Sequence, residues 1–168
     1  MSITIRHLTE DDWQAYRDLR LEALAEAPEA FASSPEEQLD RSPEDWRAAV
    51  RQHEQSFVLG AFAGNTLVGM VSLARDMRSK TRHKGTVRGL YVVPSQRGRN
   101  IARLLMAALI REARAPVGLE QLNLSVVADN LSARALYERM GFVPYGREPH
   151  ALKIGDRYLD DELMVLFL

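Results

Sequence analysis

The stretch from Gly85 to Ala113, GTVRGLYVVPSQRGRNIARLLMAALIREA, constrains the fold of this chain more than any other. It opens as a β-branched and aromatic strand, and Pro94 ends that strand because it has no N–H to offer a neighbour. Six polar residues follow, Ser95 to Asn100. Ile101, Leu104, Leu105, Ala108 and Leu109 then recur at helical spacing, and the helix must stop before Pro116. A strand that turns through so short a loop into a helix leaves several N–H groups unpaired at the positive end of the helix dipole. With Arg97, Arg99 and Arg103 around them, those donors could cradle a pyrophosphate. A plain turn with solvated arginines accounts for the loop equally well. Gly98 is its only glycine, so the glycine triplet of a dinucleotide fingerprint is absent, and so is the Gly-Lys-Ser/Thr of a Walker loop.

The flanking elements alternate between strand and helix patterns. Ile3 and Ile5 mark a short first strand, and Thr9 caps a helix whose apolar face takes Trp13, Tyr16, Leu19, Leu24 and Ala27. Pro28 and Pro35 bracket PEAFASSP as a loop or broken helix. Ser42 caps a second helix, with Pro43 in its first position. SFVLGAFAG and NTLVGMVSLAR form a hairpin that turns at Gly64 and Asn65. The basic connection DMRSKTRHK leads into the strand at Gly85. LNLSVVAD is a further strand, and Asn130 caps the helix NLSARALYERM, which Gly141 ends. Two last strands follow, Phe142 to Tyr145 and Tyr158 to Leu168. The resulting order, β, α, α, β, β, β, α, β, α, β, β, predicts a mixed sheet flanked by helices.

With 168 residues, 46% of them apolar, the chain fits one compact domain spanning residues 1–168. It has no cysteine, which removes disulfides, thiolate metal sites and a cysteine nucleophile. His7, His53, His83 and His150 lack ligand spacing, so no metal is expected. The first ten residues do not resemble a signal peptide and no apolar run is long enough to span a bilayer, so a cytoplasmic protein without membrane partners is expected. The net charge of -1 conceals a division. Thr9 to Glu54 carries thirteen acidic and five basic residues, net -8, and Arg75 to Arg114 carries eleven basic and two acidic, net +9. An anion is thus expected at the middle of the chain and a cation near its first part.

Asn130 and Tyr137 stand seven residues apart, two helical turns, so an amide and a hydroxyl can face one cleft. LYVVPSQRGRNIARLLM and NLSARALYERMGF together resemble the two signatures of the GNAT superfamily, the Gcn5-related N-acetyltransferases. The first is similar to that family's acetyl-CoA loop, with Arg97 at its start, Asn100 where the second glycine belongs, and Ala102 last. The element order matches over nearly the whole chain.

The resemblance implies a mostly antiparallel α/β (α+β) sheet of about seven strands with a central splay, flanked by about four helices. It implies acetyl-CoA as acetyl donor, coenzyme A as product, and a primary amine as acceptor that attacks directly in a ternary complex. Leu90, Tyr91 and Val92 would pair with the pantetheine arm, and a main-chain amide near Val92 would polarise the thioester carbonyl. Arg97, Gly98, Arg99, Asn100, Ile101, Ala102 and Arg103 would hold the pyrophosphate. Tyr137 would protonate the leaving thiolate while also touching the cofactor, and Asn130 would bind the cofactor arm. Phe31, Ser33, Ser34 and Tyr158 would line the acceptor site, where acidic neighbours suit a cationic small-molecule amine or a peptide or protein amine. The glutamate that the family often places on the strand before the loop is missing from Thr86 to Gly89. Glu22, Glu36, Glu37 and His83 stand as substitutes for the base, beside a water chain.

A fold of this kind that binds acetyl-CoA without turnover, as a regulatory module, would account for Asn100 and the missing glutamate, whereas Tyr137 favours an enzyme. The basic run RDMRSKTRHKGTVR lacks the interleaved aromatics of a nucleic-acid groove, so no nucleic-acid partner is expected. The expected assembly is a monomer or homodimer.

Overall fold

The β-branched runs assemble into a seven-stranded sheet in the order β1-β2-β3-β4-β5-β7-β6. The strands are β1 (Ile3–His7), β2 (Ser56–Ala63), β3 (Thr66–Arg75), β4 (Lys84–Val92), β5 (Gln121–Val127), β6 (Val143–Ile154) and β7 (Arg157–Phe167). This computed structural model describes residues 2–53, 56–116 and 118–168. Neighbouring strands run antiparallel except at the centre, where β4 and β5 are parallel. Five helices flank the sheet: α1 (Trp13–Glu26), α2 (Pro35–Leu39), α3 (Pro43–Val50), α4 (Ile101–Ala113) and α5 (Leu131–Arg139). One more helix forms than the apolar spacing predicts. It is α2, a little over one turn that starts at the closing proline of the bracketed segment and is nucleated by a capping box between Ser34 and Glu37. β6 is longer than predicted and mostly exposed, whereas β7 matches the predicted length and is largely buried or half-buried.

Local chemistry sets the helix ends much as the sequence predicts. Ser42 Oγ accepts from the Asp45 N–H at 3.2 Å, and Asn130 Oδ1 accepts from the Ala133 N–H at 3.2 Å. Thr9 caps a short 3-10 turn, Glu10–Asp12, that leads directly into α1.

Apolar side chains fill both faces of the sheet. On one face, α4 buries Ile101, Leu105, Met106 and Leu109 against β2, β3 and β4, and Phe142 and Met164 extend that core under α5. On the other, Leu19, Ala23 and Leu24 of α1 pack with Val50, Val58 and Met70.

Two ties fix the end of α1 to the last residues of β4 and the loop that follows. The Tyr91 hydroxyl donates to Glu22 at 3.1 Å, and the Arg97 guanidinium pairs with Glu26 at 2.8 Å. Glu22 and Glu26 lie one helical turn apart, so a single face of α1 reaches both partners.

The basic segment also divides in space. Arg78, Lys80 and Arg82 lie before the start of β4, whereas Arg97, Arg99 and Arg103 lie beyond its end. Nine strand residues, about 30 Å of chain, separate the two groups. Only the second group faces the helix terminus that the sequence marks as an anion site.

Candidate active site

The parallel pairing of β4 with β5 is confined to Lys84, Gly85 and Thr86 against Gln121, Leu122 and Asn123. Beyond Thr86 the two strands part. A bulge marks the separation: Met70 opposes Tyr91 and Ser72 opposes Arg88, so Gly89 and Leu90 together face Val71 alone. Gly89 adopts φ +65°, which a side chain would strain. The Ser72 hydroxyl donates to the Arg88 carbonyl at 3.1 Å, giving the bulge an acceptor's partner.

The bulge and the strand register decide which backbone groups face the gap. The Val93 N–H donates to Val68 of β3 at 3.0 Å. Successive residues of a strand alternate direction, so the polar groups of Tyr91 also point to β3 while those of Val92 and Leu90 point into the opening. Of the three residues expected to pair with the pantetheine arm, Leu90 and Val92 therefore present backbone to the gap, and Tyr91 contributes its side chain to the α1 contact. The Val92 carbonyl is already occupied, since Arg97 Nε donates to it at 3.0 Å. Its N–H is left directed at the opening.

The loop after β4 supplies the end of this cleft. Gly98 and Asn100 both take left-handed conformations, at φ 77° and 65°. The sequence departs from the two-glycine pattern at Asn100, and asparagine is the non-glycine residue best suited to that backbone. Its side chain turns outward to accept from Arg103 Nε at 2.9 Å. The N–H groups of Ile101, Ala102 and Arg103, in the first turn of α4, have no acceptor within the helix. They point toward the loop, with Arg99 held to Gln96 beside them. The arrangement fits a pyrophosphate: a concave backbone, open donors, a helix dipole and nearby guanidinium groups. The Arg97 fork is held by Glu26 and its Nε by the Val92 carbonyl, which ties the loop to α1.

Asn100→Val places a β-branched residue in a left-handed position, at a cost of about 1–2 kcal/mol. The expected result is about tenfold weaker acetyl-CoA binding by calorimetry, against little change for Asn100→Gly. Equal losses for both variants would mean that the asparagine amide itself contacts the ligand.

Two connected cavities open at the separation of the strands. The larger, about 520 Å³, lies under α1 and is lined by Tyr16, Arg20, Phe31, Ser33, Ser72 and Arg88, among others. The smaller, about 160 Å³, lies between β4 and α5 and includes Leu90, Ser125, Asn130, Tyr137 and Asp161. Phe31, Arg88, Gly89 and Ser125 border both.

Asn130 and Tyr137 thus meet at one cavity, as their spacing predicts. Asn130 Oδ1 is taken by the α5 cap and by the Ser132 hydroxyl at 3.3 Å, which leaves the amide NH₂ for a ligand. The Tyr137 ring packs edge-on against Phe142 at 6.0 Å between centroids. Its hydroxyl has no hydrogen-bond partner among the described residues, and burial pushes the phenol up to about 12.

The residues expected to bind the acceptor separate. Phe31 borders both cavities and Ser33 the larger one. The Ser34 N–H is held by Glu37 at 2.9 Å in the α2 cap. Tyr158 is stacked on His150 at 4.3 Å, out on the hairpin of β6 and β7. Neither Ser34 nor Tyr158 borders either of these two cavities. The substitutes for the missing glutamate also lie outside: Glu22 accepts from Tyr91, Glu37 caps α2, and neither Glu36 nor His83 lines either space.

Sequence reasoning did not single out Arg20, Arg88 or Asp161. Arg20 stacks on Phe31, 4.8 Å from the ring centroid, and burial lowers its pKa from the ordinary arginine value. Neither Arg20 nor Arg88 has a carboxylate within ion-pair distance among the described residues. The acidic residues of the first segment are largely engaged elsewhere: Asp12 with Arg6, Glu10 with Arg51, Asp45 with Ser42, Glu26 with Arg97. The larger cavity is therefore lined by cations, opposite to the expectation from segment charge. One signal for Asp161 does exist in the sequence, because DDE interrupts the apolar pattern of the last strand.

The sequence model of the acetyltransferase (GNAT) family matches residues 8–142, and the chain belongs to that family. It is 31% identical over 146 residues to a mycothiol acetyltransferase of Brachybacterium faecium, covering 86% of this chain but only 44% of that protein's length. It is also 30% identical over 124 residues to the L-methionine sulfoximine/L-methionine sulfone acetyltransferase of Pseudomonas paraeruginosa, covering 73% of this chain and 71% of that one. The fold is shared with an acetyltransferase of the GNAT family from Streptococcus pneumoniae, at TM-score 0.85, 22% identity and coverage of 99% and 100% of the two chains. It is shared likewise with yncA, a putative acetyltransferase from Salmonella typhimurium solved with its cofactor acetyl-CoA, at TM-score 0.85, 23% identity and coverage of 100% and 95%. Among the described residues no helix is long and apolar enough to cross a membrane, and no group of His and carboxylate side chains could hold a metal ion.

Proposed function

We propose that this chain transfers the acetyl group of acetyl-CoA to the primary amine of a small acceptor that also carries an anion, in chemistry an α-amino acid. The observation that carries the proposal is the parting of β4 from β5, with an anion loop at one end and the Tyr137 cavity alongside. A split sheet that exposes the N–H groups of Leu90 and Val92 offers an extended arm the partners of a missing strand. The loop from Gly98 to Arg103 would hold the pyrophosphate of the donor. When bound, the donor supplies an activated acetyl thioester.

The chain's own groups then have separate tasks. The N–H of Val92 or Leu90 is placed to stabilise negative charge on the thioester oxygen. Tyr137, protonated throughout the neutral range, is placed to give its proton to the leaving sulfur. Arg20 and Arg88 bring two cations to the acceptor cavity without protein counter-ions, which supports an acceptor bearing a carboxylate. That the Pseudomonas relative is named for acetylation of two methionine derivatives agrees with this choice. Because the two cavities share a border, amine and thioester can be held together, as direct attack in a ternary complex requires. A module that binds acetyl-CoA without turnover has less support, since the Tyr137 hydroxyl has no structural partner.

Thiol release from acetyl-CoA tests the proposal with a panel of L-methionine sulfone, L-methionine, their methyl esters, spermidine and a short peptide. The free amino acids are expected to react fastest. For them, Arg20→Ala is expected to raise KM about 30-fold, as loss of a charged hydrogen bond would, with KM for acetyl-CoA unchanged. Equal turnover of esters and acids would remove the carboxylate from the proposal, and acetyl-CoA binding without release for any amine would favour the module.

A further inference from the structure

We infer that Asp161 receives the acceptor's ammonium group and accepts its proton, filling the place of the glutamate that β4 lacks. The inference rests on the acetyltransferase proposal above and adds a residue to it. Asp161 stands on β7 opposite Val127 of β5, on the side of the split where β5 turns from β4. Residues directly opposite on antiparallel strands point to one face, and Asp161 borders the same cavity as Tyr137, Asn130 and Ser125.

Its Oδ1 is buried and accepts no hydrogen bond among the described residues. A buried carboxylate oxygen without a donor is costly, and such a group calls for a partner that is a cation or a proton. Among the described residues no cation forms an ion pair with Asp161. Glu148 faces it across the β6–β7 pair, Glu29 and Arg88 border the cavity from the far side, and Tyr137 looks in from α5. The cations on neighbouring residues pair elsewhere, Arg147 with Asp160 at 3.1 Å and Arg134, through its terminal nitrogens, with Glu162 at 3.9 Å and the Ala128 carbonyl at 3.1 Å. Burial raises the Asp161 pKa above the ordinary carboxylate value, with Glu148 acting in the same direction and the Ser125 hydroxyl against it.

Two other buried polar atoms lack partners among the described residues, His7 Nδ1 and Arg134 Nε, and neither residue borders this cavity. Asp161 alone joins an unsatisfied acceptor to the place where an amine must lose a proton. With Arg20 lining the adjoining larger cavity and Arg88 bordering both, the site then has an anion for the ammonium and cations for the carboxylate, the charge pattern of a zwitterion.

Asp161 takes one proton from R–NH₃⁺, leaving a neutral amine. The C–N bond forms as the C–S bond breaks, and Tyr137 gives its proton to the sulfur. The second proton of the nitrogen restores the Tyr137 phenol, and the Asp161 proton passes to water. The products are the acetamide, coenzyme A and one released proton.

Asp161→Asn keeps the shape and removes the base. For each panel amine that the wild type acetylates, kcat/KM at pH 7 is expected to fall about 30-fold, and the fall of the wild-type rate on the acid side is expected to move in the variant to track the free amine. Calorimetry on the complex with coenzyme A supplies a readout without turnover: L-methionine sulfone should bind about tenfold more weakly to the variant, and N-acetyl-L-methionine sulfone, which has no ammonium, equally well. Parallel losses for both ligands, or an unchanged acid limb, would overturn the assignment and leave Asp161 a structural residue. A wild type that acetylates no amine overturns this inference together with the acetyltransferase proposal, whereas an active wild type matched by an equally active variant overturns the inference alone.

Discussion

Tyr137→Phe is expected to lower kcat about 100-fold while leaving acetyl-CoA affinity and thermal stability nearly unchanged. The ring would keep its edge-on contact with Phe142 at 6.0 Å, and the hydroxyl it loses has no hydrogen-bond partner among the described residues. Only an interaction made as charge grows on the leaving sulfur is removed. The pH dependence carries a second expectation. A proton donor works in its protonated form, so activity is lost as pH rises through its pKa. With the phenol pushed up to about 12, the wild type should show no alkaline limb from this group over the neutral and mildly alkaline range. Burst-free steady-state kinetics in buffers up to about pH 10.5 would check this, since an ordinary tyrosine near 10 would already be titrating there. If kcat is unaltered by the substitution, a water molecule protonates the sulfur and Tyr137 only shapes the cavity.

The second large effect couples the site to the core. Phe142 is 1% exposed and sits beneath α5, its N–H bonded to the Tyr137 carbonyl at 3.0 Å. Phe142→Ala would remove a ring from a packed interior and is expected to destabilise the protein by about 3–5 kcal/mol. For a chain of this size that corresponds to a fall in Tm of about 10 °C. Calorimetric or fluorescence melting reads the loss. Assays well below the new Tm should also show lowered kcat, because the wall that holds the Tyr137 ring has gone, while the loop at Gly98 to Arg103 still binds the donor. Phe142→Leu should recover most of the stability and part of the rate. A drop in Tm of less than about 3 °C would mean that the site collapses to fill the space.

The two expectations rest on features with different origins. Asn130 caps α5 and Ser42 caps α3 by hydrogen bonds that span three residues, and the left-handed turn at Asn100 concerns a single residue. Such contacts are closed within a few residues of chain, so residue type and spacing suffice to read them. The same holds for the strand, loop and helix from β4 to α4, and for the two helical turns that bring Asn130 and Tyr137 to one cavity. The loop and the second signature were therefore legible as a pair, and with them the family.

Segment charge was a poorer guide, because it adds charges without regard to partners. The acidic excess of the first segment goes largely into caps and ion pairs, with Glu26 on Arg97 and Asp12 on Arg6, and the basic excess of the middle is divided between opposite ends of β4. What faces the larger cavity is instead Arg20 and Arg88, and neither is marked by its immediate neighbours in the chain.

The sequence by itself determined most of the elements, their caps, the strand, loop and helix from β4 to α4 and the family, because these depend on hydrogen bonds and apolar periodicities that are local. Only the tertiary structure decided that β4 and β5 part after Thr86, that the bulge at Gly89 opens the backbone of Leu90 and Val92, and that Arg20, Arg88, Ser125 and Asp161 meet around the gap. Those residues come from four separate elements, α1, β4, β5 and β7, and strand pairing over the whole sheet is what brings them together.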